Sequence, residues 1–197
     1  MNDMKNCFGI FKNVRTAPWE CLLTCLPDPK LPVDVHEIAE DMQIKLMGNS
    51  NVNLLENGET GASIYSEEQW FIIYDDLLPP LRVRYAVAHE LGHIFLGQNA
   101  AVSLGSSDNR TSDKCLDREA DMFAERLLMP SCVIYSLDLH SADEIAELCQ
   151  VTYETAHRCA VRMKEMYRKG KFLNSDYEKR VCEHFRPFIE KKLAEKK

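Results

Sequence analysis

His89-Glu90-Leu91-Gly92-His93 is the segment that most limits what this 197-residue chain can fold into. It lies in residues 82–96, where Val83, Val87, Leu91 and Ile94 recur at the spacing of a buried helical stripe. Two histidines four apart on a helix project from one face, one turn above the other. Both imidazoles can then reach a single divalent ion at roughly 2.0–2.1 Å. Glu90 falls beside them, in reach of a water on the open side of such an ion. Two ligands and a general base on one helix make the arrangement that hydrolytic zinc sites use. Gly92, which costs about 1 kcal/mol of helix propensity relative to alanine, implies a close approach of something to that helix.

A hydrolytic zinc site takes three protein ligands and keeps one position open. The pattern HExxHxxGxxH would supply a third histidine, but Leu96 and Asn99 stand where its glycine and histidine belong. The third ligand is therefore expected from a carboxylate on a later helix, as in thermolysin-like His-His-Glu sites. Residues 113–129 carry a strong helical stripe of Leu116, Ala120, Phe123, Ala124, Leu127 and Leu128, ended by Pro130. On it, Asp117, Glu119 and Asp121 compete. Asp117 is slightly nearer the apolar stripe and Glu119 has the longer reach, so periodicity does not choose between them.

The residues Arg84-Tyr85-Ala86-Val87-Ala88-His89-Glu90-Leu91-Gly92-His93, then Glu119-Ala120-Asp121-Met122-Phe123-Ala124, then Leu127-Leu128-Met129-Pro130, resemble the ImmA/IrrE family of metallopeptidases. The likeness covers roughly residues 30–165. Tyr85 stands where phenylalanine is usual, and Asp121 where asparagine is common. Carried over by position, the resemblance implies Zn2+ held by His89, His93 and Glu119, with Glu90 as catalytic base and Asp121 as a supporting partner. It also implies a substrate, a helix-turn-helix transcriptional repressor of a mobile element, phage or stress operon. The competing expectation is a regulatory module that keeps the zinc fold and binds a partner without cleaving it.

The remaining segments fit an α+β fold. A short helix opens at Pro18, and Asp34 caps another through about Met42. Residues 44–47 read as a strand, residues 48–51 as a turn, and residues 62–65 and 69–74 as a hairpin. Together they predict a thermolysin-like zincin core over residues 1–137, with a small mixed or antiparallel sheet. Residues 97–112, rich in Gly, Ser and Asn, read as a loop over the cleft. The strand Trp70–Tyr74 is a candidate for pairing with substrate backbone, and Tyr65, Tyr135 and His140 for stabilising an oxyanion.

Residues 138–197 form the second expected region, helical throughout. Residues 141–156 have helix-turn-helix rhythm, and a further amphipathic helix is expected across residues 172–197. Residues 151–197 carry 13 Lys and Arg against 7 Asp and Glu, whereas residues 1–150 carry 11 against 24. An acidic body argues against nucleic-acid binding through the main face, and the helical pair is expected to pack with a solvated basic side. No apolar run approaches the roughly 20 residues of a membrane span. The eight cysteines form no CxxC pair, and the first residues lack an export signal's apolar core. Free thiols in a reducing cytoplasm are the expectation.

Overall fold

The computed structural model describes residues 13–98 and 110–196, and side chains throughout these except at residues 110–113. Two compact units make up the chain. Among the described residues, one comprises residues 13–17 and 35–124, the other residues 18–34 and 125–196.

The first unit is built on a three-stranded sheet of order β1-β3-β2, with β1 Lys45–Gly48, β2 Gly61–Ser66 and β3 Gln69–Tyr74. β1 runs parallel to β3, and β2 antiparallel to it with Tyr65 opposite Trp70. The sheet is therefore mixed. β3 is central and buries Ile72 and Ile73, which explains its unbroken apolar run. Helix α2, Val35–Asp41, buries Val35, Ile38 and Ala39. The expected turn after β1 winds once as α3, Asn49–Val52, with the Asn49 Oδ1 accepting from the Leu54 and Leu55 amides. Helix α4, Pro80–Phe95, starts on a proline, whose missing N–H costs nothing at that position. It packs across β2 and β3, burying Val87, Leu91, Ile94 and Phe95.

Helix α5, Arg110–Leu128, begins three residues before the expected start, so residues 110–112 belong to helix and not to loop. Gly97 and Gln98 of the expected loop form a turn, and residues 99–109 lie outside the described residues. α5 belongs to the first unit through Ala124. There Ala120, Phe123 and Ala124 are fully buried, and the Phe123 ring stacks on Phe95 at 5.5 Å.

The second unit is helical. After α1, Ala17–Thr24, it takes in the end of α5, then α6 Ser131–Ser136, α7 Ala142–Cys149 and α8 Tyr153–Lys169. Pro130 both stops α5 and caps α6, a short helix that the sequence pattern did not suggest. α7 starts on a reciprocal capping box between Ser141 and Glu144, and α8 on the Thr152 hydroxyl. Gln150, in a left-handed conformation, closes α7 and makes the turn between them. The single terminal helix expected over residues 172–197 is two, α9 Asp176–His184 and α10 Arg186–Glu195. Pro187 cannot continue an α-helical ladder, and the break falls at Phe185, whose ring is fully buried.

Candidate metal centre

α4 carries His89, Glu90 and His93, whose ligand atoms lie within 4.8 Å of one another. The two imidazoles meet at their Nε2 atoms, 3.0 Å apart. Each Nδ1 is held from outside. That of His89 is 3.0 Å from Asp121 Oδ1, which also accepts the Tyr85 hydroxyl at 3.1 Å. That of His93 is 2.8 Å from Gln98 Oε1. Donation by both Nδ1–H groups leaves both Nε2 atoms as lone-pair acceptors aimed at one point. Two such acceptors at 3.0 Å repel unless a cation or a proton lies between them. Tetrahedral ligands at 2.0–2.1 Å from zinc stand roughly 3.3 Å apart, so the donor set fits a divalent ion. Buttressing of Nδ1 by a carboxylate or an amide is how metal-binding histidines are oriented.

Asp117 and Glu119 go to opposite edges of His93. Asp117 Oδ1 lies 3.7 Å from His93 Nε2, on the edge that faces His89. The Glu119 carboxylate accepts from Gln98 Nε2 at 2.9 Å, so it reaches His93 through the amide and on the Nδ1 edge. Gln98 is buried, with Oε1 turned to the ring and Nε2 to the carboxylate. Nothing in the sequence marks Ser63 or Gln98 for the site, and Tyr85 is marked there only as a departure from the usual phenylalanine. Gln98 sits five residues past His93 without any motif to mark it.

Glu90 is buried beside the two rings, and its Oε2 accepts the Ser63 hydroxyl at 2.7 Å. Ser63 comes from β2, two residues on from Gly61. A Cβ at Gly61 would stand 3.0 Å from Glu90 Cγ and 3.1 Å from its Oε1, so the glycine makes room for the carboxylate. Gly92 explains itself likewise. A Cβ there would meet the Ala120 Cα at 3.1 Å and its carbonyl oxygen at 3.2 Å, which lets α5 bring its carboxylates against α4.

Burial opposes charge on His89, but the Asp121 hydrogen bond and the carboxylates of Glu90, Asp121 and Asp117 outweigh it and raise its pKa. Burial, with the neighbouring His89, holds His93 below the ordinary value, against Glu90, Asp117 and the Gln98 contact. The adjacent rings thus differ in their hold on a proton.

The cleft around these groups encloses about 580 Å³ and is lined on one side by residues 58–63. Among the described residues β2 pairs only with β3 and is a sheet edge, while β3 is paired on both sides. Strand addition at Trp70–Tyr74 is therefore excluded, because its backbone groups are already used; the available edge is β2. Tyr65, Tyr135 and His140 do not line the cleft, whereas Tyr85 does.

A mixed sheet backed by a helix bearing His-Glu-His, with a carboxylate-rich helix beside it, defines a metallopeptidase-like domain. The chain's kinship agrees: the model of peptidase family M78, described as the IrrE N-terminal-like domain, matches residues 39–160. This protein belongs to that ImmA/IrrE family. No curated protein matches it.

Proposed function

We propose that this protein is a zinc-dependent endopeptidase whose substrate is a regulatory protein, a helix-turn-helix transcriptional repressor being the class that the resemblance implies. The observation that carries the reading is the pair of convergent Nε2 atoms with the Glu90 carboxylate beside them. His89 and His93 would hold the ion, and Asp117, whose Oδ1 lies 3.7 Å from His93 Nε2, would join them by closing on the shared edge. Glu119, which the family pattern suggested for that role, is engaged by Gln98 and would orient His93 through it. Asp121 would do the same for His89.

A divalent ion held there would supply Lewis acidity and make water easier to deprotonate. Glu90, with Oε2 fixed by Ser63, would accept a proton from the attacking water and then return it to the departing nitrogen. Such acid–base help is worth about 10²–10⁴ in rate. Gly61, Ala62 and Ser63 of the edge strand would align an extended peptide through main-chain hydrogen bonds. The peptidase is assigned to residues 1–137 and the helix-turn-helix-like region to residues 138–197. No helix of the described residues is long and apolar enough to cross a membrane. Free cysteines accord with a cytoplasmic location.

The test is incubation of the purified full chain with a candidate helix-turn-helix repressor, with and without chelator. Cleavage that chelator abolishes, and that Glu90→Gln abolishes while keeping its metal, is expected. Stable binding of the repressor by the metal-loaded protein without any cleavage would favour a non-catalytic regulator.

A further inference from the structure

Cys132 and Cys182 face each other within the second unit, and neither lines the cleft. Cys132 lies in α6 and is fully buried; Cys182 lies in α9 and is half-buried. Their thiols are hydrogen-bond partners. Ser136, one turn after Cys132, accepts or donates at Cys182 Sγ across 3.5 Å and donates to the Cys132 carbonyl at 2.9 Å. Cys182 also lines an open hollow of about 350 Å³ with Lys179, Arg186 and Leu173. One sulfur of the pair is thus reachable from solvent and the other is not. α6 packs against α9, so a disulfide between the two would join neighbouring elements.

The pair is also asymmetric in acidity. The Cys132 thiol and the Ser136 hydroxyl hold Cys182 at about 7, against its burial and the Glu178 carboxylate. The same contact, with burial, pushes Cys132 far upward. Cys182 is therefore the sulfur more inclined to ionise, and Cys132 the one that holds its proton.

We propose that Cys132 and Cys182 form a hydroperoxide-oxidisable dithiol, with Cys182 as the attacking sulfur and Cys132 as the resolving one. The Cys182 thiolate attacks hydrogen peroxide: an S–O bond forms, the O–O bond breaks, and the departing hydroxide takes a solvent proton to leave as water. The Cys132 sulfur then attacks the Cys182 sulfenic acid. An S–S bond forms, the S–O bond breaks, and the second hydroxide leaves as water with the Cys132 proton. Two thiols lose two electrons in all, and the peroxide becomes two waters. The product ties α6 to α9 and is opened again by thiol reductant.

The reduced full-length protein, carrying Cys115→Ser to remove an exposed competitor, is titrated with hydrogen peroxide and mapped by mass spectrometry. A Cys132–Cys182 cross-linked peptide, reversed by dithiothreitol, is the expected product. Cys182→Ser should slow thiol loss about tenfold, the gain that a thiolate near pKa 7 holds over an ordinary thiol at neutral pH. Cys132→Ala should stop the reaction at a Cys182 sulfenic acid that dimedone traps. A cross-link joining a different pair, or Cys182 passing to sulfinic acid in the parent protein without any cross-link, would overturn the proposal. The mapping of the parent protein needs no core substitution, so it stands even if a variant fails to fold.

Discussion

The lone pairs of His89 and His93 Nε2, 3.0 Å apart, are oriented by groups on their far edges, and these make the ligand assignment testable. If Asp117 is the third ligand as proposed, Asp117→Asn is expected to weaken metal binding more than about a hundredfold. Gln98→Ala and Glu119→Ala should each cost about 10–100-fold, the range for partners that orient a ligand. Metal titration by competition with a chromophoric chelator measures all three, and a reversed ranking would make Glu119 the ligand. Acid acts on the same atoms. Metal binding needs both rings neutral, so affinity falls as pH falls. His89 has a raised pKa, and its loss sets in above the ordinary histidine value of about 6.5, with His93 following at lower pH. Without metal the sign reverses. The charged His89 contributes stability below its unfolded pKa, and that contribution is lost as pH rises through its raised folded value. Metal content after dialysis across pH 5–8, beside metal-free unfolding midpoints, checks both directions.

At the scale of elements, the centre depends on how closely α4, α5 and β2 approach one another. Gly92 is where α4 admits the α5 backbone. Gly92→Ala gains about 1 kcal/mol of helix propensity, yet its methyl must push against the Ala120 backbone, and overpacking of this kind costs roughly 1–3 kcal/mol. A lower denaturation midpoint together with weaker metal binding is expected, since Asp117 and Asp121 ride on the helix that must move. Greater stability with unchanged metal affinity would show that α5 does not need that approach.

At the scale of the whole molecule, the charge asymmetry is partly spent inside the second unit. Arg158 and Arg162 of α8 reach Glu125 at 2.8 and 3.3 Å, and Arg168 and Lys169 pair with Glu165. A recognition helix needs such cations for phosphate and base contacts. Duplex DNA at low salt is therefore expected to be left unretarded by this protein, and an electrophoretic mobility-shift titration checks it. Salt-dependent retardation, lost in Arg158→Ala, would reopen nucleic-acid binding.

The sequence by itself determined the site helix, because His89, Glu90 and His93 are four residues or fewer apart and helical period alone puts them on one face. It also determined the fold class and the β2–β3 hairpin, which local alternation and turn residues encode. That Asp117 and Glu119, two positions apart on α5, reach opposite edges of His93 is decided only by tertiary structure, since it depends on where Gln98 lies and on the closeness that Gly92 permits. The same holds for which strand is the edge. Trp70–Tyr74 and Gly61–Ser66 both read as strands, but β1 arrives from earlier in the chain to occupy the far side of β3, and a pairing between distant segments leaves no mark in local pattern.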